Sequence, residues 1–444
     1  MIGHATIFAL ASGAGKAGIA VYRLSGPDAG RVLMLLSGRP LPTPRLAVRV
    51  RLAMPPAGEL IDDGLALWFP GPASFTGEDV AELHLHGGRA VATAVTTALL
   101  SLGLRPAEPG EFSRRAFEAG KLDLTQAEAI ADLVAAETAA QRRQALRQMD
   151  GALMRLYDDW RDRLLRSQAH LEAEIDFSDE DLPGGLGVEA RQRLAELAEA
   201  MAAHLADGAR GERLRDGLSV AILGAPNVGK SSLLNRIAGR DAAIVSATAG
   251  TTRDVIDVHL DLAGYPVMLA DTAGLRDAIE AVEEEGIRRA RARADSADIR
   301  LVVFDATALP ELDGASLALI DERAIPVLNK LDRAAVPLPT SIAGRPAIAV
   351  SAAVGEGMDG LLALLETRAV AALEGSGAPV LTRARHRAAI EEAEVALRRA
   401  LNAGLPELAA EDVRVAARAL GRITGRVDVE EMLDVIFREF CIGK

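Results

Sequence analysis

The chain has 444 residues, 49% hydrophobic but only 3% aromatic, with a formal net charge of −13. That length suits about three domains, with cores built mainly of Leu, Ala, Val and Ile, and the charge argues against a protein that simply coats nucleic acid while leaving room for a local basic patch. One cysteine, Cys441, excludes an intrachain disulfide and fits a reducing cytoplasm. No Lys or Arg precedes the short apolar run Ala5 to Ala11, and no window nears ~20 uninterrupted apolar residues, so neither a signal peptide nor a membrane span is expected.

Residues 1 to about 118 read as mixed α/β. Ile19 to Leu24 and Leu65 to Phe69 are predicted strands, and Val91 to Leu102 a helix. In Val80 to His86 the pattern alternates, placing Val80, Glu82, His84 and His86 on one face and Ala81, Leu83 and Leu85 on the other. Turns are marked by Ser25-Gly26-Pro27, Pro70-Gly71-Pro72 and Pro109-Gly110. Ser12 to Lys16 imitates a phosphate loop, but its glycines are too close and no Ser or Thr follows the Lys, so it reads as a flexible loop. His4, His84 and His86 lack the Cys or further ligands of a metal set and read as structural.

From about Leu122 to Leu171 the period becomes helical, with Leu124, Ala127, Ala131, Val134 and Ala135 on one stripe. Gln141 to Arg166 carries seven arginines against four aspartates. Such a stretch can meet phosphates, but a solvated helix face is the plainer reading. Glu172 to Asp181 is acidic, Pro183-Gly184-Gly185 breaks the helix, and another helix spans Val188 to Leu214.

The apolar run Leu218 to Leu223 then leads into Gly224-Ala225-Pro226-Asn227-Val228-Gly229-Lys230-Ser231-Ser232. This is strand, glycine loop and helix with the spacing G-x4-G-K-S. The glycines let successive N–H groups turn toward phosphate oxygens, and the helix start brings its positive dipole end to the same place. Lys230 can reach the outer phosphates and the Ser231 hydroxyl can sit on Mg2+. The loop alone does not separate ATP from GTP. Predicted strands continue at Val255–Leu262, Pro266–Ala270, Ile299–Asp305, Ile325–Asn329 and Ala347–Val350, a doubly wound nucleotide domain over residues 217 to about 370.

Three more motifs stand at strand ends in the order a GTPase requires. In Asp271-Thr272-Ala273-Gly274 the carboxylate can hold Mg2+ through water and the Gly274 N–H can meet a γ-phosphate. In Asn329-Lys330-Leu331-Asp332 a carboxylate can accept from the N1–H and N2–H edge that guanine has and adenine lacks. Ser351-Ala352 can support the base. Between the first two lies Gly250-Thr251-Thr252-Arg253-Asp254, whose threonine can complete the Mg2+ shell. Leu275 stands where Ras-like proteins carry their water-orienting Gln, and Leu cannot position water. Helical periodicity returns at His386–Leu401, Leu408–Leu420 and Val429–Phe440, so one helical domain interrupted by the nucleotide domain is the economical organisation.

These residues resemble a bacterial family, the tRNA modification GTPases called MnmE or TrmE. The resemblance covers nearly the whole chain. Its specific stretches are Gly18 to Gly26, Leu65 to Glu82, Pro109 to Phe117, Lys121 to Leu133 and the end Cys441-Ile442-Gly443-Lys444, and it continues through Gly224 to Asn235 and Ala242 to Asp254. The GTPase motifs by themselves are shared with other translation-linked GTPases. Departures are slight: Lys16 stands in the loop before Gly18, and His84 at a variable place.

The resemblance implies a Ras-like P-loop G domain inserted into a discontinuous helical domain and preceded by an α/β folate-binding domain. The expected boundaries are 1–118 for the N-terminal dimerisation domain, 119–215 and 376–444 for the helical domain, and 216–375 for the G domain. It also implies GTP contacts from Asn227, Val228, Gly229, Lys230, Ser231 and Ser232; from Ser246, Ala247, Thr248, Ala249, Gly250, Thr251 and Thr252; from Asp271, Thr272, Ala273 and Gly274; from Asn329, Lys330, Leu331 and Asp332; and from Ser351 and Ala352. Mg2+ would take Ser231 and Thr252. K+ would take Asn227, Ser246, Thr248 and Thr251 as the G domains dimerise, and Glu283 would orient water, joining Lys230 as a catalytic residue. Arg23, Glu82, Lys121 and Lys444 would hold a 5-formyl- or 5,10-methylene-tetrahydrofolate, whose glutamate tail suits a Lys or Arg and whose pterin suits a carboxylate. Cys441 would lie near the modification chemistry.

The implied activity is GTP hydrolysis to GDP in a cytoplasmic homodimer. With the FAD-dependent partner MnmG (GidA), in a heterotetramer, it would add a carboxymethylaminomethyl or aminomethyl group to carbon 5 of the wobble uridine of certain tRNAs. Two rival readings are a ribosome-assembly switch of the Era or Der type, which shares the GTTRD motif, and a nucleotide-gated helical stalk, which needs longer heptad repeats than occur here.

Overall fold

The computed structural model describes residues 5–56, 58–176, 186–240, 242–244, 257–271, 295–375, 379–427, 430–438 and 440–443. The chain divides into two compact units. One comprises residues 1–134, 148–194 and 395–444, the other residues 135–147 and 195–394.

The first unit begins with a six-stranded sheet. Its strands are β1 (Ile7–Leu10), β2 (Ala17–Ser25), β3 (Val48–Met54), β4 (Glu59–Phe69), β5 (Val80–Gly87) and β6 (Arg105–Pro106), in the order β3-β4-β5-β2-β1-β6. All neighbours are antiparallel except β1 and β6. Helices α1 (Ala29–Ser37) and α2 (Arg89–Ser101) close the core, with Val32, Leu33 and Leu36 from one and Val95, Ala98 and Leu99 from the other meeting Leu24, Leu52, Leu83 and Trp68. On β5 the expected alternation appears, with Ala81, Leu83 and Leu85 buried and His86 exposed, but Val80 is buried as well. The run Ala5 to Ala11 supplies β1. The polar first half of β4 pairs with β3 although its composition gave no strand signal.

The remainder of this unit is helical, interrupted in the chain by residues 135–147, which belong to the second unit and hold most of the helix Ala139–Met149. The block expected over residues 122–171 is three helices: α3 (Glu111–Glu118) precedes it, then come α4 (Leu124–Ala135), α5 (Ala139–Met149) and α6 (Ala152–Asp176). The breaks have local causes. Asp123 Oδ1 accepts from Thr125 N at 2.7 Å, and Gln126 Oε1 accepts from Asp123 N at 3.0 Å, a capping box that starts α4. Thr138 and Gln141 form a second box at α5, with Gln141 Oε1 accepting from Thr138 N at 3.0 Å. Gly151, at φ 80°, separates α5 from α6.

The second unit is built on a seven-stranded sheet of β7 (Leu218–Leu223), β8 (Ala243–Ile244), β9 (Asp257–Leu262), β10 (Tyr265–Asp271), β11 (Ile299–Asp305), β12 (Ala324–Asn329) and β13 (Ile348–Ala349). The order is β13-β12-β11-β7-β10-β9-β8. Strands β11 and β12 are buried almost throughout, as central parallel strands covered on both faces should be. The sheet is not wholly parallel. β9 runs antiparallel to β10, and β8 to β9, because only Ala263 and Gly264 join β9 to β10. Both have positive φ, 53° and 84°, and a two-residue hairpin cannot contain a crossover helix. Flanking helices are α7 (Leu186–Asp216), whose residues from 195 on belong to this unit, α8 (Lys230–Ala238) and α9 (Met358–Leu373). Then follow α10 (Ala384–Asn402), α11 (Pro406–Thr424) and α12 (Glu430–Arg438), of which the last two return to the first unit. There α11 packs along α6, and Leu433, Ile436 and Phe437 of α12 cover Leu124 of α4. Among the described residues no helix is long and apolar enough to cross a membrane.

Candidate functional site

The glycine loop connects β7 to α8. Gly224 has φ 142°, and a Cβ there would meet the Val303 carbonyl of β11; Gly229 has φ 96°, and a Cβ there would strike the Asn329 amide. Both positions therefore need glycine for backbone and for space. Lys230 Nζ donates to the carbonyls of Gly224 at 3.0 Å and Ala225 at 2.8 Å, so the ammonium arches over its own loop. Ser231 and Ser232 are exposed in the first turn of α8, where the helix presents its N–H groups. Asn227 holds a left-handed conformation at φ 62°, and its exposed amide has no hydrogen-bond partner among the described residues.

The other strand ends converge on this loop. Asn329 closes β12 and is 2% exposed. Its Nδ2 donates to the Val228 carbonyl at 2.8 Å and its Oδ1 accepts from Ala352 N at 3.0 Å. One buried amide thus joins the glycine loop, the Asn329–Asp332 turn and the Ser351-Ala352 turn. Ser351, fully buried, donates to Asp332 Oδ1. Leu331 N donates to the Val350 carbonyl at 3.0 Å, tying the two turns again. Lys330 has φ 66° and reaches Asp305 Oδ2 at 2.6 Å. Burial alone would raise the Asp305 carboxyl, but hydrogen bonds from Lys330 and Thr307 outweigh it and hold the group below its usual value.

Asp271 ends β10, parallel to β7 and paired with Ile222. Thr272, Ala273 and Gly274 lie outside the described residues, as do Leu275, Glu283, Ser246, Ala247, Thr248, Ala249, Gly250, Thr251 and Thr252.

The first unit carries a separate polar cavity of 260 Å³, lined by Arg23, Arg45, Phe69, Ala73, Ser74, Phe75, Val80 and Glu82. Arg23 on β2 stands opposite Glu82 on β5 in the sheet register. The guanidinium donates from Nε to Glu82 Oε1 at 3.1 Å, and the ion pair brings its Nη2 within 3.0 Å of the same oxygen. It also lies 5.4 Å from the Phe75 ring centre and 5.8 Å from that of Phe112, distances suited to cation–π attraction. The loop that walls the cavity is fixed from below. Buried Arg115 donates to Glu78 Oε2 at 2.9 Å, and Ser25 donates to the same oxygen at 2.6 Å.

Over this geometry the comparisons with known proteins are direct. The sequence profile of the TrmE N-terminus of GTP-binding proteins matches residues 6–121, and that of the MnmE helical domain matches residues 124–441. The chain is 63% identical to the tRNA modification GTPase MnmE of Paramagnetospirillum magneticum over 440 residues, covering 99% of each chain. It is 58% identical to that of Rhodospirillum rubrum over 452 residues, again covering 99% of each. The chain belongs to the MnmE family of tRNA modification GTPases. The match spans the N-terminal and helical parts that the Era- or Der-type reading leaves without a role, so that reading is set aside. Among solved structures, the G domain of the T. maritima FeoB iron transporter covers 34% of this chain and 98% of its own, at 24% identity and a TM-score of 0.26, too low to add to the family assignment.

For an MnmE-family chain, the positions expected to hold folate fall as follows. Arg23 and Glu82 share the cavity. Lys121 is exposed, and its stem runs beside Gly77 on the loop that walls the cavity, without being part of the lining. Lys444 lies outside the described residues. Cys441 is exposed, and its carbonyl accepts from Gly110 N at 3.5 Å, two residues before Phe112. His84 Nε2 is 3.4 Å from Glu82 Oε2, and His86 Nδ1 is 2.9 Å from Asp62 Oδ1, while His4 lies outside the described residues.

Several supporting residues escaped the sequence. Arg236 of α8 donates from Nε to the Ala352 carbonyl at 2.8 Å and so braces the Ser351-Ala352 turn. Asp305, the partner of Lys330, closes a strand as the recognised motifs do, and that position was the signal. Arg45 and Phe75 join Arg23 in the cavity, and for Phe75 the signal was its place inside Leu65 to Glu82.

Proposed function

We propose that the chain hydrolyses GTP to GDP and phosphate at the β7–α8 loop and drives tRNA modification with that cycle. The observation that carries this reading is Asn329, whose buried side chain gathers the phosphate loop and both base-side turns into one site. Asp332, oriented by Ser351, then offers its carboxylate to the guanine N1–H and N2–H edge. Lys230 exchanges its two loop carbonyls for phosphate oxygens, and backbone N–H groups of residues 227 to 232 complete the cradle. The exposed Ser231 fits a Mg2+ ligand, shared with Thr252, and that ion would neutralise phosphate charge. The exposed amide of Asn227 fits K+, with Ser246, Thr248 and Thr251 as the remaining donors, and the ion would supply the positive charge that other GTPases take from an arginine. Glu283 orients the attacking water, because Leu275 cannot.

The Arg23–Glu82 cavity fits a tetrahydrofolate derivative in its donor set: a guanidinium for a carboxylate, a carboxylate for pterin N–H groups, and a Phe75 face for a flat ring. Lys121 and Lys444 add cations for the glutamate tail. Bound folate would supply a one-carbon unit. In the full reading the chain works in the cytoplasm as a homodimer whose G domains pair across K+. With MnmG it modifies carbon 5 of the wobble uridine, and Cys441 lies near that chemistry. Its segments are 1–118, 119–215, 216–375 and 376–444.

Mass spectrometry of tRNA nucleosides from a strain lacking the chain tests the role: the modified wobble uridine is expected to disappear, and its persistence would end this reading. At the hydrolytic site, Glu283→Ala is expected to keep GTP affinity while turnover in K+ falls by about 10²-fold; normal turnover would return Glu283 to the solvent.

A further inference from the structure

The arginine-rich stretch Gln141 to Arg166 has no part in the function above, and the structure divides it. Arg142, Arg143 and Arg147 lie on α5, which carries no acidic residue at all, in a chain whose net charge is −13. Beside α5, wholly within the second unit, opens a cavity of 520 Å³ lined by residues of α5 and α7, by Tyr265 at the start of β10, and by Glu374 just past α9.

Four features of the lining point to an occupant. Gln144 is 7% exposed, lines the cavity, and its amide has no hydrogen-bond partner among the described residues. A mostly buried amide without a partner in a cavity wall suits a polar ligand with a mixed edge. Arg143 and Arg147 are exposed, and the Arg143 guanidinium has no partner among the described residues. Arg210 is locked by two bonds to Asp207, at 2.8 and 2.5 Å, and its guanidinium lies against the backbone of Gly375. It therefore gives the wall a rigid, neutralised plane, next to the half-buried Tyr265 ring. Glu374 is the only acid among the described residues of the lining, exposed, and it would repel a phosphate but accept from an exocyclic amino group.

We propose that this cavity seats one unstacked nucleotide of an RNA strand. Arg143 and Arg147 take the phosphates, Tyr265 offers a face to the base, and Gln144 and Glu374 meet its edge. An RNA strand is favoured over a free nucleotide because the positive charge extends past the cavity to Arg142, which is exposed and does not line it. This inference rests on tRNA being the substrate, and it adds where on the chain the RNA is held.

The test is fluorescence anisotropy of the full-length chain with unmodified tRNA over a series of salt concentrations. The double variant Arg143→Ala, Arg147→Ala is expected to bind about ten-fold more weakly, with the slope of log affinity against log salt reduced by about 1 to 2. GTP turnover stays at the wild-type rate and reports that the variant is folded. Gln144→Leu is expected to weaken binding by a few fold with the slope unchanged, since it removes no charge. Equal affinity and slope in the wild type and the double variant, with tRNA bound by both, would overturn this site and leave the tRNA reading intact. No measurable tRNA binding by the wild type would overturn both. Binding of mononucleotides that is lost in the double variant, with tRNA affinity unmoved, would give the cavity a free nucleotide and overturn the RNA strand.

Discussion

The nucleotide loop and the N-terminal cavity hold their ligand groups in opposite ways. At the loop, the side chains proposed to meet a nucleotide are also the ones that fasten the loop: Lys230 on two carbonyls, Asn329 between Val228 and Ala352. In the cavity the charged groups hold each other, Arg23 on Glu82, and the wall is fastened by others, Arg115 and Ser25 on Glu78. The first arrangement couples binding to loop stability, while the second lets the pair be altered without loosening its frame.

The largest effect expected from this contrast is at Asn329. Asn329→Ala removes two buried hydrogen bonds and leaves the Val228 carbonyl and Ala352 N–H without their partner. GTP affinity should fall by about 10²-fold, near 3 kcal/mol, in an equilibrium titration with a fluorescent GTP analogue. A loss of less than three-fold would break the view that the loop and its ligand groups are fastened together.

The next effect concerns the stability of the second unit. His204, on the part of α7 in that unit, has its pKa lowered to about 4, chiefly by burial, with Asp207 opposing. The imidazole is neutral in the folded chain and takes a proton on unfolding below pH 6.5, so stability is present above that pH and lost as it falls toward 4. Between pH 7 and pH 5 this group should cost about 2 kcal/mol, and His204→Gln should flatten the pH dependence of urea unfolding by that amount. An unchanged pH profile would mean the histidine is hydrated.

The smallest effect is at Arg23. Arg23→Ala should weaken 5-formyltetrahydrofolate by about ten-fold in calorimetry, while the melting temperature moves little, because Arg115 still fastens the wall. A large fall in melting temperature would erase the contrast between the two sites.

How much was legible follows the same division. The glycine loop, Asn329 to Asp332 and Ser351-Ala352 could be picked out because each follows an apolar run, and the ends of parallel strands share one edge. Asn329 could be named, but its two bonds could not, since Val228 is 101 residues away. The Arg23–Glu82 pair is made by the register of β2 and β5, 59 residues apart, and no spacing rule reports such a pair; only the resemblance reached it. The polar half of β4 and the antiparallel turn of β9 into β10 were missed for a related reason. Period signals mark buried faces, whereas these strands are held by pairing and by Ala263 and Gly264 in positive φ.

The end of the described chain shows a different kind of constraint. Ile442 pairs by backbone with Pro109, and its side chain is 60% exposed, whereas Gly443 has φ 97° and a Cβ there would press on the Leu10 carbonyl and Ala11. Position 442 therefore tolerates almost any side chain and position 443 almost none. Inserting a single residue after Phe440 would bring a side chain to the place where only a hydrogen fits, and would carry Cys441 off its bond to Gly110. The tail works as a ruler, read in whole residues from the far end of α12.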